Sequence, residues 1–118
     1  MNNLYEITGS ITEADGSFSV AMRIDAAHPV LAGHFPSKPV VPGVYMVDMI
    51  KHAAEMCAGR KLRLTEGKNI KFISVLDPLI NSQVTVNVFL NEEGSTVSVN
   101  GSLSNGTSVF VKLKGNYE

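Results

Sequence analysis

The chain has 118 residues, of which 44% are hydrophobic and 18% charged, with a formal net charge of −1. That composition supports one hydrophobic core, read as a single domain over residues 1–118, and excludes a disordered chain. The near-neutral charge excludes a nucleic-acid binder built on a basic surface. No run reaches the roughly 18 consecutive apolar residues of a membrane span, the opening residues show no signal-peptide pattern, and the lone Cys57 excludes an internal disulfide, so a cytoplasmic setting is expected.

Residues 4–11 alternate and carry β-branched side chains, which predicts a strand. Asp15-Gly16 signals a turn, and residues 17–24 alternate again, so the two strands are expected to form a hairpin. Residues 25–41 read as loop. Residues 43–58 form an apolar helical run, with Gly59 as its C-cap and Arg60, Lys61 and Arg63 at the negative end of its dipole. Residues 61–74 are extended with an interruption near Glu66-Gly67, and Asp77-Pro78 marks a break. Residues 82–90 and 95–104 alternate on either side of a Glu92-Glu93-Gly94 turn. Asn105-Gly106 predicts a two-residue hairpin into a last strand over 107–114. This order implies an α+β domain, one long helix packed on a curved antiparallel sheet. The helix is apolar around most of its circumference, more than one small sheet can cover, which predicts a dimer. Its polar residues Asp48, Lys51, His52 and Glu55 fall on one stripe.

The segment Gly33-His34-Phe35-Pro36-Ser37-Lys38-Pro39-Val40-Val41-Pro42-Gly43-Val44 precedes and opens this helix. Pro36, Pro39 and Pro42 stiffen the path, and Pro42 suits the first helical position. Gly43 has no side chain, so a ligand can approach its N–H at the positive end of the helix dipole, where a developing oxyanion is stabilised. His34 supplies an imidazole and Asp48, fourteen positions later, a carboxylate. An imidazole, a carboxylate and an oxyanion donor together suit proton abstraction beside a carbonyl.

The pattern His34-Phe35-Pro36-x-x-Pro39-Val40-x-Pro42-Gly43-Val44 with Asp48 resembles the active-site signature of the β-hydroxyacyl-acyl carrier protein dehydratases of the hot-dog fold. The resemblance implies a curved antiparallel sheet wrapped around one central helix and a (3R)-hydroxyacyl thioester dehydratase. Its substrate is carried on the phosphopantetheine of an acyl carrier protein or coenzyme A, and its catalytic residues are His34, Asp48 and Gly43. Phe35, Pro36, Val40, Val41, Pro42, Val44 and Phe72 are expected to line the acyl site. The elimination calls for no metal or redox cofactor, and the three histidines have no zinc-site spacing. Ser37 stands where the family usually has glycine, and His52 where a glutamine is common. Asp48 is the acid of the dehydratase-isomerase branch, the straight-chain enzymes using glutamate. The short length points to specialised fatty-acid or aryl-polyene-type pathways. The expected assembly is a homodimer, a dimer-based higher oligomer, or a heterodimer with a homologue.

Other readings stay open from the residues alone. A hot-dog thioesterase would use Asp48 to aim water at the carbonyl, and a non-catalytic subunit would only partner an active homologue. His34 can cap a backbone group and Asp48 can be a solvated helix residue. His52 either bonds Asp48 one turn away or lies exposed on the polar stripe. His28, before Pro29, reads as structural or exposed, and Cys57 as a small buried hydrophobe. Arg60, Lys61 and Arg63, with Lys68 and Lys71 beyond, are either a solvated cap or a dock for an acidic carrier protein.

Overall fold

Strand alternation sets the architecture. In a computed structural model that describes residues 4–32 and 40–118, the elements are β1 (Tyr5–Thr12), β2 (Phe18–Ile24), α1 (Pro29–Ala32), α2 (Gly43–Ala58), β3 (Leu64–Phe72), β4 (Gln83–Glu93), β5 (Thr96–Ser104) and β6 (Val109–Tyr117). The strands form one six-stranded sheet in the order β1-β2-β4-β5-β6-β3, every neighbouring pair antiparallel. Val20, Met22 and Ile24 of β2, Val84, Val86 and Val88 of β4, and Val97, Val99, Gly101 and Leu103 of β5 are all buried, every second residue along each strand. A period of two puts them on one face. That face receives α2 through Met46, Met49, Ile50, Ala53 and Ala54, which lie across β2, β4 and β5.

The helix approaches the sheet closely at Gly101, where an added Cβ would lie 2.7 Å from Ile50 Cγ2. Gly59 ends α2 in the left-handed conformation, its N–H bonded to the Glu55 carbonyl at 2.9 Å, as the sequence predicts. The edge strand β3 is exposed along its length and bulges between Leu64 and Glu66 and between Gly67 and Asn69, where the interruption was expected.

Three expectations are corrected. The tight two-residue hairpin is not at Asn105-Gly106. It falls at Gly94-Ser95, between the paired residues Glu93 and Thr96, with Gly94 at φ 61°. Asn105 instead spans a four-residue loop, its Oδ1 accepting from the N–H groups of Thr107 (3.1 Å) and Ser108 (2.7 Å). A side chain that bonds the backbone this way competes with the shorter turn. The stretch read as loop holds α1, started by a turn in which Asp25 Oδ1 accepts from Ala27 N–H at 3.0 Å. Cys57 is exposed, because the last turn of α2 presents it away from the sheet.

Tyr117 closes the core at the end of β6, fully buried, and its hydroxyl has no hydrogen-bond partner among the described residues. A buried hydroxyl left unpaired costs stability. Tyr117→Phe is therefore expected to unfold at equal or higher denaturant concentration, with a gain of up to about 1 kcal/mol. A loss of more than that, measured by urea titration, would reveal a hydrogen bond the hydroxyl makes.

Candidate active site

The site is built at the start of α2. Pro42 is the N-cap, at φ −62° and ψ 147°, and not the first helical residue as the sequence suggested. Its carbonyl accepts from Tyr45 N–H at 3.0 Å, so the helix begins at Gly43. Proline fixes that φ and has no side-chain oxygen for capping, and it makes no side-chain cap here. The N–H of Gly43, in the first turn, has no acceptor within the helix and sits at its positive end. A Cβ on Gly43 would lie 2.8 Å from the Phe72 ring. Close approach, rather than an unusual backbone angle, is thus what demands glycine here.

Gly43 and Phe72 border an open cleft of about 430 Å³ that Val40, Val41, Met46 and Val75 also line. Val41 is anchored by its N–H to the Leu76 carbonyl at 2.9 Å, tying the approach to α2 against the chain that follows β3. The structure therefore gathers four expected residues, Val40, Val41, Gly43 and Phe72, around one apolar space. Met46 and the run Ile73, Ser74, Val75 and Leu76 also line it and were missed. Their signal was the apolar character of residues 70–76, of which 70–74 were read only as strand and 75–76 were left unassigned. Val44 does not line the cleft; it is 72% exposed, turned about 100° around the helix from Gly43. His34, Phe35 and Pro36 lie outside the described residues.

Asp48 lies one turn beyond Val44 on the same exposed stripe. Its own chain leaves it exposed, because the sheet covers the other face of α2. Its partner is Tyr5 of β1, whose hydroxyl donates to Asp48 Oδ2 at 2.8 Å. The same hydroxyl is 3.3 Å from His52 Nδ1, with the two rings edge to face at 5.9 Å. His52 is thus exposed and linked to Asp48 through Tyr5. Burial, then the hydrogen bond to Asp48 and the negative charges of Asp48 and Glu55, hold the Tyr5 phenol far above its usual range. The phenol therefore keeps its proton at neutral pH. Tyr5 was missed, since nothing in a sequence pairs residue 5 with residue 48.

His28 holds α1, its Nδ1 accepting from Val30 N–H at 3.1 Å. The Cys57 thiol is pushed up by partial burial and by the charge of Glu92, which removes it from consideration as a thiolate nucleophile. Arg63 pairs with Glu118, and Arg60 and Lys61 follow the far end of α2. At about 1.5 Å per residue that end lies roughly 24 Å from Gly43. The basic cluster is not part of the cleft. Lys71 borders a separate polar depression on the outer face of the sheet, with Lys112 and Lys114. Among the described residues no group of three or more His, Cys, Asp or Glu side chains forms a metal cluster, and no described helix is long and apolar enough to cross a membrane.

The family model described as ApeI-like, ApeI dehydratase, matches residues 10–109. The chain belongs to the ApeI-like dehydratase family. As a member, it is similar to a 3-hydroxyacyl-[acyl-carrier-protein] dehydratase FabZ of Coxiella burnetii, with 35% identity over 66 residues, 55% of this chain and 46% of that protein. It is also similar to the FabZ of Rickettsia massiliae, with 29% identity over 107 residues, 78% of this chain and 72% of that one. The first of these matches spans about half the length of the curated relative. Among solved structures, the dehydratase heterocomplex ApeI:P from Xenorhabdus doucetiae superimposes with a TM-score of 0.74 at 18% identity, covering 95% of this chain and 96% of that one. The family's fold is accordingly the hot-dog fold, α+β, with the antiparallel sheet and single main helix described above. The cleft under Phe72 and the exposed stripe that carries Asp48 both draw residues from α2.

Proposed function

We propose that the protein is a (3R)-hydroxyacyl thioester dehydratase acting on acyl groups carried by phosphopantetheine, in fatty-acid or aryl-polyene-type biosynthesis. The observation that carries this reading is the helix-start N–H of Gly43, with no acceptor within α2, at the edge of an apolar cleft in a chain of the dehydratase family. The thioester carbonyl accepts a hydrogen bond from Gly43, where the helix dipole favours negative charge. That polarisation makes the C2 proton more acidic, and neutral His34 removes it. Asp48 gives its proton to the departing C3 hydroxyl, leaving water and a trans-2-enoyl thioester. The acyl chain lies along Val40, Val41 and Phe72, with Phe35, Pro36 and Pro42 as further contacts. An elimination of this kind transfers no electrons to a cofactor, and none is assigned.

The assembly proposed is a dimer, either of two identical chains or with a homologue; the similar ApeI:P protein is itself a heterocomplex. The exposed apolar side chains Val44 on α2 and Phe72, Ile73 and Val75 beside it support a second chain against this face. The carrier protein, acidic in character, is assigned to Arg60 and Lys61, with Arg63 contributing less because Glu118 already pairs it.

The pure chain, given a 3-hydroxyacyl thioester, is expected to raise enoyl absorbance without releasing free thiol. Thiol release in place of enoyl formation would make it a thioesterase. Activity appearing only on addition of a homologue would make it a non-catalytic partner. Gly43→Ala tests the donor position. The added methyl forces the half-exposed Phe72 ring aside, which the fold tolerates within about 1 kcal/mol. The displaced ring and substrate lower kcat/KM roughly ten- to hundredfold. A variant as active as the parent would remove Gly43 from the site.

A further inference from the structure

The contact between Tyr5 and Asp48 joins elements far apart in the chain, the start of the edge strand β1 and the exposed stripe of α2. The Tyr5 ring is half-buried and packs against the core, so its hydroxyl is delivered at a fixed place. Asp48, by contrast, is exposed on a helix, where a short carboxylate samples several rotamers. We propose that Tyr5 is the positioning residue for Asp48: its hydroxyl fixes Oδ2 and leaves Oδ1 for proton transfer, while His52 holds the phenol from behind. This rests on the dehydratase reading.

Three features support it. Oδ1 accepts no hydrogen bond among the described residues. A phenol has one proton, and Tyr5 commits it to Asp48 at 2.8 Å. His52 Nδ1, 3.3 Å away, can then only donate to the phenol oxygen, which makes an ordered line from imidazole to phenol to carboxylate. The chemistry gives that line a use. When Asp48 releases its proton to the leaving hydroxyl, it becomes a carboxylate, and a hydrogen bond to a charged acceptor is roughly twice as strong as to a neutral one. The Tyr5 contact therefore strengthens as the reaction proceeds, which lowers the barrier without tightening substrate binding.

The test is a double-mutant cycle on the intact protein, with 3-hydroxyacyl thioester as substrate and single-turnover rates for the slow variants. Tyr5→Phe keeps the ring and its packing and removes only the hydroxyl. It is expected to lower kcat roughly ten- to hundredfold with KM within about twofold. In an Asp48→Asn chain, which has no proton to give, the same change should alter the residual rate less than about twofold. If Tyr5 merely ties β1 to α2, Tyr5→Phe will lower the thermal midpoint and leave kcat intact, or reduce the rate equally in both backgrounds; either result overturns the proposal. Should Tyr5→Phe fail to fold, His52→Ala decides, since His52 is on the surface. It is expected to lower kcat about three- to tenfold in the parent and not in the Asp48→Asn chain, and an unchanged kcat overturns the line. A parent protein without dehydratase activity fails earlier, on the reading itself, and takes the proposal with it.

Discussion

His34→Ala and Asp48→Asn should each slow dehydration by roughly two to four orders of magnitude, the scale of losing a general base or a general acid. Asparagine keeps the shape of the Asp48 side chain and still accepts from Tyr5, but it has no proton for the departing hydroxyl. Because Asp48 is exposed in its own chain, its replacement is expected to move stability by no more than about 0.5 kcal/mol. The loss of rate is then a loss of chemistry, read as a fall in kcat and kcat/KM together. His28→Ala and Cys57→Ala are the controls and should stay within about tenfold of the parent. His28 serves α1, where its ring nitrogen accepts from Val30, and Cys57 faces away from the sheet on the last turn of α2. Stopped-flow or spectrophotometric assay of enoyl formation measures all four. A His28→Ala defect as deep as that of His34→Ala would mean that the wrong histidine was assigned.

The fold was largely legible because its core strands obey a period of two and its helix a period near 3.6. Val84, Val86 and Val88 could face only one way, and Gly59 after an apolar run could only end a helix. Short-range punctuation was less reliable. Asn105-Gly106 carries the strongest hairpin signal, yet the asparagine side chain closes a longer loop, while Gly94-Ser95 makes the tight turn. Two residues do not specify which of their possible hydrogen bonds the flanking strands will allow. In the cleft, Gly43, Val40 and Val41 were legible because proline and glycine write local geometry into sequence. Phe72 was legible only through its apolar character, and Val44 falls outside the cleft because adjacent helical residues point about 100° apart. Tyr5 was not legible at all. Its meeting with Asp48 depends on the register of β1 against β2 and on how α2 crosses the sheet, and neither is a local property.

Two inactive variants should restore activity to one another. If His34 works with Asp48 of the other subunit, a heterodimer of His34→Ala and Asp48→Asn chains has one site with both defects and one with neither. Random one-to-one reassembly makes half the dimers mixed, so about a quarter of the parent's sites return. The motivation is physical. Asp48 sits on the side of α2 that the sheet leaves uncovered, with Val44 exposed one turn before it, and a desolvated acid there needs a second chain to enclose it. The experiment is to unfold and refold the two variants together, confirm mixed dimers by native mass spectrometry, and assay. Each variant refolded alone should remain two to four orders of magnitude below the parent, so recovery to about a quarter stands far above background. Refolding at unequal ratios adds a second check, because returned activity should follow the fraction of mixed dimers, greatest at one to one. Confirmed heterodimers without recovery would place His34 and Asp48 of each site in a single chain.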